Sequence, residues 1–194
     1  MAKNITIAGV RFGYVRVFEP TVNADTGKEE YSICVLIPKT NTKALTTIKK
    51  AIEEVLSDPA SLSKWGMSRL VKGQINMPLK DGDVDKDTAS HPEYAGMMYF
   101  NARSKTQPGV AGTDRQPILN KEEFYSGCWG AFNGSVFPYN AEGKKKGISI
   151  GLSNVMKMRD GKALTGRQSI DEAFANVNAD DYADYGDDDP GTFL

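Results

Sequence analysis

Apolar and polar positions alternate with period two over residues 5–18. In "VRFGYVRVF" this alternation predicts a strand or bent strand pair, with Val10, Phe12, Tyr14, Arg16 and Phe18 on one face. Arg11, Val15 and Val17 fall on the other face, and Gly13 marks a bulge or a sharp coil. A polar stretch with Pro20 and "DTGK" predicts a turn. "YSICVLIPK" follows as a nearly all-apolar, β-branched second strand ended by Pro38, so the chain opens as an antiparallel hairpin.

The period then changes. In "TNTKALTTIKKAIEEVLSDP", Leu45, Ile48, Ile52, Val55 and Leu56 recur at helical spacing. Thr40 or Asn41 is placed to cap, and Asp58-Pro59 to stop the helix. "ASLSKWGMSRLVKG" reads as a second, shorter helical piece and "NMPLKDGDVDKDTASHPEY" as a polar loop. Three further strands are predicted in "YAGMMYFNARS", "CWGAFNGSVFPYN" and "ISIGLSNVMKMRDG". By alternation, Phe100 and Phe132 face inward if Tyr99 and Arg103 face outward. About five strands with one main helix predict an all-β domain, an OB-fold-like five-stranded barrel with long loops. The predicted boundaries are a barrel domain over residues 1–168 and a disordered acidic tail over 169–194, where no periodic apolar face remains.

Charge sharpens that division. The 194 residues carry 24 Lys+Arg and 25 Asp+Glu, a formal net charge of −1. Eight of those acids lie after Arg167, where there is no base, so the preceding body holds 24 bases against 17 acids. A basic body with an acidic tail points to a polyanionic partner or a regulatory segment. The two cysteines, Cys34 and Cys128, sit in apolar runs and read as small core residues, which fits a reducing cytoplasm. The N-terminal residues lack the long apolar run of a signal peptide, and no apolar run reaches membrane-spanning length.

Convergent catalytic groups are hard to assemble. The one histidine, His91, lies beside Pro92 in a polar loop, and neither phosphate-binding glycine motif is present. Two cysteines and one histidine cannot complete a Cys/His zinc site. "DGDVDKD" alternates Asp81, Asp83, Asp85 and Asp87. An EF-hand loop, however, wants Gly and Glu where Lys86 and Pro92 stand, so the stretch reads as a solvated acidic turn. The expectation is a non-enzyme without cofactor or metal.

What remains is cations interleaved with aromatics. Single-stranded nucleic acid requires that mixture, cations for its phosphates and flat faces for its unpaired bases. The candidate DNA-contacting residues are Tyr14, Arg16, Tyr31, Lys39, Tyr99, Arg103, Lys105, Trp129 and Lys145. Tyr14 and Tyr99 lead because each shares a strand face with an arginine. In the tail, Asp187, Asp188, Asp189 and Phe193 are candidates for a partner site, an acidic run followed by an aromatic anchor. A tail lying in a cationic groove would compete with DNA and, once displaced, be free for another protein. A virion structural or assembly protein is the alternative.

The order of "RFGYVRVFEP", "YSICVLIPK", "MPLKDGD", "YFNARSKTQPGV", "YSGCWGAFNGSVFPYN" and "GKKKGISIGLSNV" resembles a family of bacteriophage OB-fold single-stranded-DNA-binding proteins, over about Val10 to Leu152. The resemblance implies an OB barrel, sequence-tolerant binding of single-stranded DNA without catalysis, and a role in phage DNA replication or recombination in the host cytoplasm. Replication or recombination proteins would be partners of the tail, and a homodimer is possible. The resemblance supplies no contact residues.

Overall fold

In the computed structural model the described residues are 2–24, 27–71, 73–141 and 145–164. The tail candidates Asp187, Asp188, Asp189 and Phe193 lie outside them, as does the proposed boundary at residue 168.

The first strand, β1 (Lys3–Val22), is long enough to serve two neighbours. Its first half pairs antiparallel with β6 (Trp129–Ala141), from Lys3 opposite Val136 to Arg11 opposite Trp129. Its second half pairs with β2 (Glu29–Pro38), from Arg11 opposite Leu36 to Val22 opposite Glu29. β2 pairs in turn with β4 (Met97–Ser104), and β6 with β7 (Lys145–Arg159). The ring closes where β4 runs parallel to β7, Ala102 opposite Ile150 and Arg103 opposite Gly151. This is the expected five-stranded barrel. Two short strands are appended, β3 (Lys80–Asp81) on β4, in a stretch read from sequence as loop, and β5 (Gly109–Ala111) on β7.

Alternating inward residues fill the barrel. Phe12, Val35, Phe100 and Phe132 are fully buried, and the Phe100 and Phe132 rings meet edge-on with centroids 5.2 Å apart. Two glycines of β6 let the strands curl this tightly. A Cβ on Gly130 would lie 2.9 Å from the Phe12 ring and closer still to the Met156 carbonyl, and one on Gly134 would strike the Gly151 carbonyl. The helix α1 (Thr42–Ser57) buries Ala44, Leu45, Ile48, Ala51, Ile52 and Val55 as one stripe. Asn41 caps it, accepting from the Ala44 N–H at 3.2 Å, and donates to the Ala8 and Gly9 carbonyls at 2.9 and 3.1 Å, so the cap also fastens the helix to β1. Asp58 ends α1 and caps the short α2 (Pro59–Trp65). The Trp65 indole N–H donates to the Tyr139 and Gly147 carbonyls, anchoring α2 to β6 and β7.

Candidate nucleic-acid interface

A single extra residue in β1 decides what the barrel shows to solvent. Gly13 faces Cys34 and Arg16 faces Ser32, so three steps on β1 span two on β2. Tyr14 is the residue in excess, with a left-handed φ of 48°. The expected single face over Val10 to Phe18 is therefore corrected. Val10 and Phe12 point inward, but beyond the bulge Val15 and Val17 take the inward side, and Tyr14 and Arg16 are exposed. The bulge anticipated at Gly13 is present, and it turns these two side chains outward.

The outer face of β1, β2 and β4 consists of three cross-strand rows. Arg16, Ser32 and Arg103 form the first, as consecutive ladder partners. They line a polar cleft of about 250 Å³ with Thr21, Asn23 and Glu30. Arg103 Nη1 lies 3.8 Å from Glu30 Oε2, which also accepts from Asn23 Nδ2 at 2.7 Å. Arg16 has no hydrogen-bond or ion-pair partner among the described residues. Asn101 and Lys105, exposed on or just past β4, continue the same parity beside Arg103. Gly13, Cys34 and Asn101 form the middle row.

The third row runs Trp129, Arg11, Leu36, Tyr99. Trp129 is half-buried between two guanidinium groups, with Arg159 Cζ 4.5 Å and Arg11 Cζ 5.9 Å from its ring centroid. Such contacts are the cation–π kind. Arg11 is fixed by donating from Nε to the Gly127 carbonyl (3.1 Å) and from Nη2 to the Lys162 carbonyl (2.6 Å). Its burial, and then Arg159, work against its charge, while Glu93 supports it; the net is a pKa below the usual arginine range. Lys157 lies 5.2 Å from the Tyr125 ring and pairs with Asp160 at 2.7 Å.

Tyr99 departs from expectation. Its register is outward, as predicted, but it is only 4 % exposed. Residues 81–94, including the one-turn helix α3 (Gly82–Asp85), cover it. The Tyr94 ring meets it edge-on with centroids 4.8 Å apart, and Lys86 Nζ lies 5.6 Å from its centroid. Tyr94 also packs on Cys34 and Leu36, and burial pushes the Cys34 thiol up to about 11. The "DGDVDKD" acids belong to this cover, and Lys39 Nζ sits 2.7 Å from both Asp81 and Asp83, so its charge is already paired. Among the described residues no group of acids, histidines and cysteines is arranged to hold a metal ion.

The structure thus brings Tyr14, Arg16 and Arg103 together on an open face, with Lys105 beside them. It places Tyr99 under the cover with Lys39 at its edge, and Trp129 at the far end of the third row. Tyr31 is set apart, half-buried at the end of β2 on the inward parity of Ile33. Lys145 is also apart, exposed at the start of β7 opposite Ala141. Sequence reasoning missed Arg11 as a site residue because simple alternation put it opposite Tyr14. It missed Arg159 because the partner of Trp129 lies 30 residues downstream and becomes visible only through the β6–β7 register. Tyr94 and Lys86 carried no signal, since nothing in a polar loop says that it folds back over a strand.

The family described as that of the Enterobacter phage Enc34 ssDNA-binding protein matches residues 3–185. A protein designated p50 of Acyrthosiphon pisum secondary endosymbiont phage 1 is 31 % identical over 166 residues, covering 84 % of this chain and 86 % of that one. The structure of the single-stranded DNA-binding protein from bacteriophage Enc34 in complex with ssDNA superposes with a TM-score of 0.66 at 29 % identity, covering 83 % of this chain and 89 % of that one. The single-stranded DNA binding protein gp2.5 of bacteriophage T7 is similar in fold alone, with a TM-score of 0.54 at 14 % identity over 92 % of this chain and 97 % of that one. The barrel is thus an OB fold, and the chain belongs to the family of the Enterobacter phage Enc34 ssDNA-binding protein.

Proposed function

We propose that this protein binds single-stranded DNA without sequence preference and without catalysis, as a coating protein in phage DNA replication or recombination within the host cytoplasm. The observation that carries the reading is the outer face of β1, β2 and β4. There an exposed tyrosine and an arginine of β1 share one surface with an arginine of β4, across Ser32 of β2, and a family relative is known in complex with single-stranded DNA. Strands 2 and 3 of an OB barrel, here β2 and β4, are the usual oligonucleotide face. Arg16 and Arg103 would take phosphates, and Tyr14 would offer its ring to a base. Lys105 extends the cationic path, and Trp129 with its two arginines ends it. Tyr31, Lys39 and Lys145 are weaker candidates, being half-buried, ion-paired and set apart from this face respectively.

The acidic C-terminal residues, with Asp187, Asp188, Asp189 and Phe193, are proposed to compete with DNA and, once displaced, to recruit replication or recombination proteins. The body supports this in one respect. Leu164, its last described residue, packs against the Cys34–Leu36–Tyr99 cluster on the proposed DNA face. A homodimer is compatible with this scheme and is tested by sedimentation.

The test is binding of a fluorescent dT oligonucleotide at two salt concentrations, with duplex DNA as competitor. Expected is tight binding that weakens steeply with salt and resists duplex. A flat salt response, or no binding with Asp180 to Leu194 both present and deleted, overturns the reading. Deletion of that segment is expected to tighten binding.

A further inference from the structure

Tyr99 poses a problem that the fold does not explain. It stands in the outward register of β4, in line with Arg11 and Leu36, yet a segment from elsewhere in the chain hides it. That cover, residues 81–94, is rich in carboxylates: Asp81, Asp83, Asp85, Asp87 and Glu93. It rests on Leu36 and Tyr99 of the row that carries Arg11 and on Cys34 of the middle row, next to the row of Arg16 and Arg103. Its outer ties are polar. Lys39 holds Asp81 and Asp83, both by exposed ion pairs, and the Tyr14 hydroxyl donates to Glu93 Oε1 at 3.4 Å. Inside, the Tyr94 side chain rests on Cys34, Leu36 and Tyr99.

We propose that residues 81–94 form a displaceable cover, and that Tyr99 beneath it is a stacking site for an unpaired base of a bound single strand. This rests on the single-strand reading. The ties to Lys39 and Tyr14 use groups that DNA can take over, whereas Asp83 also accepts from the Gly96 N–H at 2.9 Å and Asp81 pairs with Met98 in the β3–β4 ladder, which hold the base of the cover. A phosphate competes with Asp81 and Asp83 for Lys39, and a base on the Tyr14 ring competes with its bond to Glu93. The strand therefore has more to gain from the open form than from the closed one, which is the requirement for a ligand to shift such an equilibrium. The carboxylates of the closed form make non-specific anions poor competitors, because those bring phosphate-like charge but no base to stack on Tyr99. Tyr99 lies four residues from Arg103 on one strand, about 13 Å at strand rise, so one oligonucleotide can reach both.

Cys34 lies beneath Tyr94 and reports the cover, while Cys128, buried on the barrel's other side chains, reports unfolding. The full-length chain is treated with iodoacetamide and the modified cysteine identified by peptide mass spectrometry. Lys39→Ala is expected to speed alkylation of Cys34 several-fold and to leave Cys128 unchanged. Saturating dT oligonucleotide is expected to speed amide hydrogen exchange within residues 82–96 of the unmodified protein. Tyr99→Leu, which retains packing volume but no flat face, is expected to weaken dT binding about fivefold or more. Tyr99→Phe retains the affinity, and melting temperatures of both variants show that the fold is intact. Unchanged Cys34 alkylation in Lys39→Ala overturns the cover, as does exchange that slows or stays constant with oligonucleotide bound. Equal affinities for the Leu and Phe variants overturn the stacking site. If the unmodified protein fails to bind dT, the single-strand reading falls and the Tyr99 site with it. Opening of the cover is still read separately, because the alkylation needs no DNA.

Discussion

The two cationic ends of the proposed interface are built in opposite ways. At the Arg16–Arg103 cleft the guanidinium groups stand in solvent. Arg16 is unengaged among the described residues, and Arg103 has one long contact to Glu30. At the Trp129 end, Arg11 is bound to two backbone carbonyls and, with Arg159, brackets an aromatic ring. The first end presents charge, and a ligand pays the side-chain ordering when it arrives. The second is pre-ordered, and its arginines contribute to the fold whether or not DNA is present. Net charge alone cannot distinguish these roles, because both ends add the same number of positive charges to the sequence.

The contrast makes separable predictions. The largest effect is expected from Arg16→Ala combined with Arg103→Ala, a loss of affinity of roughly tenfold or more at low salt, since hydrogen bonds to charged groups are the strong ones. The slope of log K against log salt should fall by about 1.4, about 0.7 for each of two phosphates neutralised on a single strand, with the melting temperature unmoved. An unchanged slope would show that neither arginine meets a phosphate. Next is Tyr14→Ala, about fivefold weaker binding without destabilisation, because the ring is 52 % exposed. A drop in melting temperature instead would make Tyr14 a structural residue. Arg11→Ala should lower stability by about 2 kcal/mol in a denaturant titration, through its two carbonyl bonds. Arg16→Ala alone should change stability by less than about 0.5 kcal/mol. Equal stability losses would abolish the distinction between the two ends. The smallest effect belongs to Lys145→Ala, less than about twofold in affinity, since Lys145 stands apart from the face.

Period and punctuation made most of the barrel legible. The five strands, the α1 stripe, the Asn41 cap and the Asp58-Pro59 stop follow from local chemistry, and local chemistry is what a sequence displays. The inward direction of Phe100 and Phe132 follows from the same alternation. Tyr99 fails the rule in an instructive way, because alternation predicts direction and not exposure. Its outward direction is correct, and its burial comes from Tyr94 and Lys86, which fold back from a loop that shows no apolar period. Arg11 and Arg159 were hidden for a related reason. Their role arises from which strand pairs with which, a fact of closure that no window of adjacent residues contains. The cleft arginines were legible as cations interleaved with aromatics, but the side of β1 that Arg16 takes beyond the bulge follows from the register with β2 and not from alternation.

That bulge has a consequence for how the protein can change. Without Tyr14 the sequence Phe12, Gly13, Val15, Arg16, Val17 would alternate inward and outward without interruption, and the three-against-two step opposite Cys34 to Ser32 would become even. Tyr14 is thus a spare letter in a binary code. Most single-residue deletions inside a barrel strand exchange its two faces and ruin it. Deletion of Tyr14 should instead leave a regular strand, spared an unfavourable backbone angle, and measurable as a folded barrel with a weakened hold on DNA. The scaffold and the added aromatic are separable by descent as well as by design, since a lineage could gain or lose the ring by inserting or deleting one codon.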